Sequence, residues 1–171
     1  MYKSILRRIR VKFRIFLGSD IKFTPTRHFH NDLKWFGNID YGGWMIPSSI
    51  LIGPLYILDI GIGEDISFST SLLNQYDGRC IAVDPTYRSR LFMNSSGDPK
   101  ISFVNCALSL SSDPVSFFEP ENTNHVSGSL LSYDHLLSSS ICVQSITLQD
   151  LISQYPVDGL AILKLDIEGY E

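Results

Sequence analysis

Apolar positions in this chain fall into short runs broken by polar turns, and their spacing changes from run to run. Leu55-Tyr56-Ile57-Leu58 is a continuous apolar run ending at Asp59 and a glycine turn. That is the pattern of a strand buried on both faces of a parallel sheet. Phe68, Leu72, Leu73 and Tyr76 recur at near-helical spacing, which predicts a helix over about 66–76 with Asp65 as its cap. Asp77-Gly78 closes that helix, and a second strand is expected over 79–83, completing a βαβ unit. Pro85 biases Asp84 toward an extended backbone and ends the strand there.

The same reading continues with a helix near 87–93 and a strand over 101–105. Residues 107–110 and 115–118 are expected to form a small hairpin about Ser111-Ser112-Asp113-Pro114. Residues 127–140 carry six serines and read as a loop with a short helical stretch over 133–137. Thr147 is the expected N-cap of a helix reaching about 155, with Asp150 completing a capping-box variant. A last hydrophobic strand is expected over 160–167. Strands alternating with helices predict an α/β fold with a doubly wound, mostly parallel sheet.

Charge divides the chain in two. Residues 1–34 carry nine Lys and Arg against two acids, for +7, and the remaining 137 residues carry −11. A body that acidic does not read as a nucleic-acid binder and suits a cationic or neutral small ligand. Residues 1–18 hold six basic residues among apolar ones, and Arg10, Lys12 and Arg14 interrupt the apolar core that a secretory signal needs. One reading of 1–18 is a helix making peripheral contact with a membrane or an anionic partner. The plainer reading, which takes precedence, is an element with a solvated basic face packed on the domain. The expected division is thus a basic segment over 1–34 and a ligand-binding domain over 35–171.

Three cysteines, Cys80, Cys106 and Cys142, match neither a disulfide nor a zinc spacing, so a reducing, cytoplasmic setting is expected. His28-Phe29-His30-Asn31-Asp32 resembles the start of a metal-binding motif, but Leu33 stands where another His is wanted. No metal is expected.

The sharpest chemical feature is Asp59-Ile60-Gly61-Ile62-Gly63-Glu64-Asp65 at the end of the first core strand. A GxG turn in that position lets a ligand approach the backbone, in nicotinamide enzymes and methyltransferases alike. Asp59, Glu64 and Asp65 bracket the turn, and Ile66 replaces the third glycine of the dinucleotide fingerprint. Carboxylates repel a pyrophosphate and attract an ammonium or sulfonium, so the loop favours S-adenosylmethionine. Asp84, at the tip of the second strand, can accept both ribose hydroxyls of an adenosine ligand of either class. On an extended final strand Lys164, Asp166 and Glu168 share a face, with the two acids beside the ligand crevice.

Together these residues resemble the FkbM family of S-adenosylmethionine-dependent methyltransferases. The resemblance runs over about 35–171, through Tyr41-Gly42-Gly43-Trp44 with Ile46-Pro47, residues 59–68 (DIGIGEDISF), Val83-Asp84-Pro85-Thr86, residues 103–109 (FVNCALS), residues 147–152 (TLQDLI) and the terminal KLDIEGYE. It implies a class I, Rossmann-like methyltransferase fold and methyl transfer to an oxygen of a sugar or secondary metabolite. By position, Asp59, Gly61, Gly63 and Glu64 belong to the loop holding the methionine end, and Asp84 holds the ribose. Asn105 and Ala107 lie beside the adenine, and Asp166 and Glu168 face the methyl group and the acceptor. Asp166 or Glu168 is then the base, with His125 a weaker candidate.

Relatives of that family continue past the KLDIEGYE string, so the sheet is expected to be incomplete at its C-terminal side, with its last strand at an exposed edge. Two alternatives follow: a catalytically inactive truncated methyltransferase, and an NAD(P)-dependent oxidoreductase. The acceptor that the resemblance implies is a small molecule or a glycan.

Overall fold

A computed structural model describes residues 32–120, 128–131, 137–155, 159 and 162–168. The basic segment, apart from residues 32–34, lies outside them, as do the His28–His30 pair, His125 and residues 132–136 of the expected 133–137 helical stretch.

The core is a parallel sheet of four strands in the order β10-β3-β4-β5, formed by β3 (Leu55–Ile60), β4 (Gly78–Val83), β5 (Ile101–Val104) and β10 (Ile162–Leu165). Helices α1 (Ser67–Leu73) and α2 (Tyr87–Ser96) make the crossovers from β3 to β4 and from β4 to β5, and α3 (Leu148–Gln154) precedes β10. The chain steps outward through β3, β4 and β5, then returns to the other side of β3, so strand order reverses between β3 and β10.

Alternation along the strands explains why both faces are apolar. Leu55, Ile57, Cys80 and Ala82 pack in one cluster with Phe68, Leu72 and Leu73 of α1. Leu58, Ile60, Ile81 and Val83 pack in another with Leu151 of α3, and Leu148 and Ile152 lie against it. A strand that buries successive residues on opposite faces reads as one unbroken apolar run, which is why β3 and β4 were visible as patterns. The fold is α/β with helices on both faces of a parallel sheet, and that much agrees with the expectation from the sequence.

Several details differ. Helix α1 ends at Leu73, and Gly78 opens β4 instead of closing the helix. A Cβ on Gly78 would lie 2.0 Å from the Leu55 carbonyl oxygen, so close strand approach accounts for that glycine. The expected hairpin does not form. Instead β6 (Ala107–Leu108) pairs in parallel with β9 (Ser145–Ile146), and β7 (Val115–Pro120) pairs antiparallel with β8 (Leu137–Val143). Strand β8 includes part of the serine-rich stretch read as a loop, and Leu137, expected in a helical stretch, opens it. The aromatic, glycine-rich stretch near the start holds β1 (Leu33–Phe36) and β2 (Trp44–Pro47), joined as a two-stranded sheet.

The N-cap of α3 matches the expectation: Thr147 Oγ1 accepts from the Asp150 amide at 3.0 Å. The capping box closes through a third residue, because the Ser112 hydroxyl donates to Asp150 and accepts from the Thr147 amide. No helix among the described residues is long and apolar enough to cross a membrane.

Candidate functional site

The carboxyl ends of β3, β4 and β10 open into a cleft enclosing about 620 Å³ of space with the adjoining open solvent included. It lies where strand order reverses, the place at which open parallel sheets leave room for a ligand. Tyr41, Gly61, Gly63, Asp84, Asp166 and Glu168 contribute to its lining, and Ile60, Val83, Cys106, Leu108, Phe117 and Leu130 supply apolar surface. Ala107, expected beside an adenine, also lines it.

The glycine turn is shaped by the neighbouring backbone. Gly61 has φ of 82°, and a Cβ there would stand 2.0 Å from the Asp166 carbonyl oxygen. The Asp166 amide in turn donates to the Ile60 carbonyl at 3.0 Å, so the ends of β3 and β10 are laced together. Gly63 has φ of 53°, and its amide donates to Asp84 Oδ2 at 2.9 Å. The other Asp84 oxygen accepts from the Thr86 amide at 2.9 Å and the Thr86 hydroxyl at 2.6 Å. Two protein donors therefore occupy Oδ1 and one occupies Oδ2, leaving acceptor capacity at Oδ2 for one further hydroxyl. Acceptance of both ribose hydroxyls through separate oxygens is not what this geometry favours. Asn105 supports the same corner from below: its side-chain amide donates to the backbone carbonyls of Asp84 and Thr86 at 2.8 and 3.2 Å. It does not line the cleft.

Asp59 does not line it either. It is completely buried, with Oδ1 accepting from Lys164 Nζ at 2.8 Å and Oδ2 from the Ser69 hydroxyl at 2.6 Å. The two ion-pair partners face each other across neighbouring strands, since Lys164 is the register partner of Asp59. Lys164 thus parts company with Asp166 and Glu168, which follow the end of β10 and line the cleft. Glu64 is exposed and paired with Arg88. Asp65 Oδ1 accepts from the Ser67 amide at 2.6 Å at the start of α1.

The acids that set the charge of the cleft are therefore not Asp59, Glu64 and Asp65. Two of those acids have a cation within an ion pair, and the acids lining the cleft are Asp84, Asp166 and Glu168. Among the described residues no Lys, Arg or His lines it. Tyr41 registers the resulting field: burial, then Asp166, Asp65, Glu168 and Asp84, push its phenol above the usual range.

Glu168 has φ of 55°, the one positive value among the described non-glycine residues. Its carbonyl accepts from the buried Ser129 hydroxyl at 3.0 Å, while Ser129 bridges to Phe118 of β7 through both backbone groups. The β7–β8 pair thereby braces the wall that carries Glu168. Gly128 permits this: a Cβ there would stand 2.3 Å from the Phe117 ring. Phe117 and Leu130 are not among the site residues that the sequence offers, and Tyr41 and Thr86 are there only as members of strings. Thr86 carried a readable signal, a Thr before a helix with Ser three residues on; its hydroxyl accepts from the Ser89 amide at 3.2 Å. Phe117 reaches the cleft through the β7–β8 pairing, and Leu130 follows the isolated Ser129–Phe118 bridge, neither of which has a local signature.

No group of three or more metal-binding side chains occurs among the described residues. Compared with known proteins, the chain matches no family model, no curated protein and no solved structure.

Proposed function

We propose that the cleft binds S-adenosylmethionine and that the protein transfers its methyl group to a hydroxyl of a sugar or secondary metabolite. The observation that carries this reading is a cleft at the strand-order reversal with three acids and no cationic side chain in its described lining. A pyrophosphate entering such a site would face acidic side chains in the described lining, whereas an ammonium and a sulfonium would be stabilised by them. The resemblance of the motif strings to FkbM methyltransferases supports the same choice.

Gly61 and Gly63 would offer close backbone approach to the amino-acid end of the ligand, and Asp84 Oδ2 would accept from a ribose hydroxyl. Bound S-adenosylmethionine supplies a methyl group on a sulfonium, whose transfer to oxygen leaves a neutral thioether and frees the hydroxyl proton. Asp166 or Glu168 would take that proton, both being in the cleft lining. Positioning would supply much of the rate, since the carbon already bears its leaving group.

Calorimetric titration with S-adenosylhomocysteine, with NADH in parallel, tests the reading. Micromolar binding of the first ligand, weakened about tenfold or more in Asp84→Ala with its fold intact by circular dichroism, is expected. Binding of NADH alone, or of neither ligand to a folded sample, would overturn it.

A further inference from the structure

Tyr41 stands opposite the strand ends on the turn between β1 and β2, and that turn is tied down. The Asn38 amide donates to the Ser67 hydroxyl at 2.7 Å, and the Asp40 amide to Asn38 Oδ1 at 3.0 Å. Gly42 has φ of 71°, and a Cβ there would lie 2.7 Å from Asp65 Oδ2. Gly43 is packed under the Trp35 ring and the Asn38 carbonyl with no room for a side chain. These contacts fasten the turn to the start of α1 and hold the phenol over the cleft, where it joins Asp84, Asp166 and Glu168 in the lining.

We propose that Tyr41 adds to the acids a contact that reads ligand charge at the sulfur, its aromatic ring favouring the sulfonium form of the adenosyl ligand over the neutral thioether left after transfer. This rests on the adenosyl reading above. The acids act on the ammonium that both ligand forms share as well as on the sulfonium. An aromatic ring distinguishes the two at the sulfur, because its negative face attracts a weakly hydrated cation and gains little from a thioether. A phenol is neutral at physiological pH, and partial burial with the nearby acids pushes its pKa further up, so the ring adds no formal charge of its own. Weakened retention of the thioether would also speed its departure after each transfer.

The experiment measures dissociation constants of S-adenosylmethionine and S-adenosylhomocysteine for the full chain, Tyr41→Phe and Tyr41→Leu. Tyr41 is 53% exposed, so both variants should fold, which thermal midpoints confirm. The preference for the sulfonium should fall about 3- to 10-fold in Tyr41→Leu and survive in Tyr41→Phe. Equal weakening of both ligands in Tyr41→Leu would overturn the proposal while leaving the adenosyl reading intact. Loss of preference in Tyr41→Phe as well would overturn the role of the ring in favour of the hydroxyl. Failure of both ligands to bind the folded wild-type chain would overturn the adenosyl reading itself, and this inference with it.

Discussion

Carboxylates that look alike in the glycine-turn region end in two kinds of surroundings. Asp59 and Glu64 are each matched to a cation, one deep beneath the turn and one at the surface. Asp84, Asp166 and Glu168 reach the cleft, where the described lining holds no cation. The contrast shows that counting charges along a motif does not give the field a ligand would meet. That field depends on partners far away in sequence: Lys164 comes from 105 residues beyond Asp59, and Arg88 from 24 beyond Glu64.

The largest expected effect comes from breaking the buried pair. Lys164→Ala would leave a fully buried Asp59 carboxylate with only the Ser69 hydroxyl, at a cost of about 3–5 kcal/mol in urea unfolding. Replacing both partners, Asp59→Leu with Lys164→Met, should cost much less, because no unpaired charge remains. A single-variant loss below about 1 kcal/mol would mean the pair does not hold β10 against β3.

How far such a pair was legible in the sequence follows from its reach. The β3–α1–β4–α2–β5 succession was readable because each strand buries both faces and each turn carries Gly, Asp or Pro. Register was not: nothing local to Lys164 says that it meets Asp59 and not Asp84. Strand β8 was hidden because its serines imitate a loop, and its identity comes from pairing with β7. Likewise β6 and β9 are two residues each, too short for a periodicity to exist. At the candidate site, Gly61, Gly63, Asp84, Asp166 and Glu168, legible from the glycine turn and the strand ends, line one cleft with Ala107, which only the resemblance points to, whereas Asp59, Glu64 and Asn105 lie outside its lining.

Gly61→Ala should rank next. It forces a positive φ on a residue with a Cβ and drives that Cβ into the Asp166 carbonyl, so about 2 kcal/mol or more should be lost. Gly97 is the control: its φ of 61° is similar, but nothing lies within 4 Å of the position a Cβ would take, so Gly97→Ala should cost only about 1 kcal/mol. Equal losses in the two variants would show that the ends of β3 and β10 are not held in close contact.

Thiol labelling separates the buried side of the turn from the cleft side without mutation. Burial, with the Asp59 charge adding to it, pushes the Cys80 thiol up to about 12. Since the thiolate is the reactive form, Cys80 should label only on unfolding. Exposed Cys142 should label first. Cys106 lines the cleft, and partial burial raises its pKa, so it should react more slowly and be protected by a bound adenosyl ligand. Rapid native-state labelling of Cys80 would contradict its enclosure with Asp59 and Ser69.

The smallest effect belongs to the surface pair and bears most directly on the field of the cleft. Both side chains are substantially exposed, at 45% for Arg88 and 39% for Glu64, so separating them should change stability by less than about 1 kcal/mol. Its consequence for binding has a sign. Arg88→Ala removes the cation that offsets Glu64, so the mouth of the turn becomes more negative and should hold a cationic ligand more tightly. About a twofold gain in affinity for S-adenosylmethionine at low salt, fading at high salt, is the expected size. Arg88→Ala combined with Glu64→Gln should cancel the gain. A gain that persists in that double variant would have to arise from the loss of Arg88 bulk, and Glu64 would then contribute nothing to the charge the ligand meets.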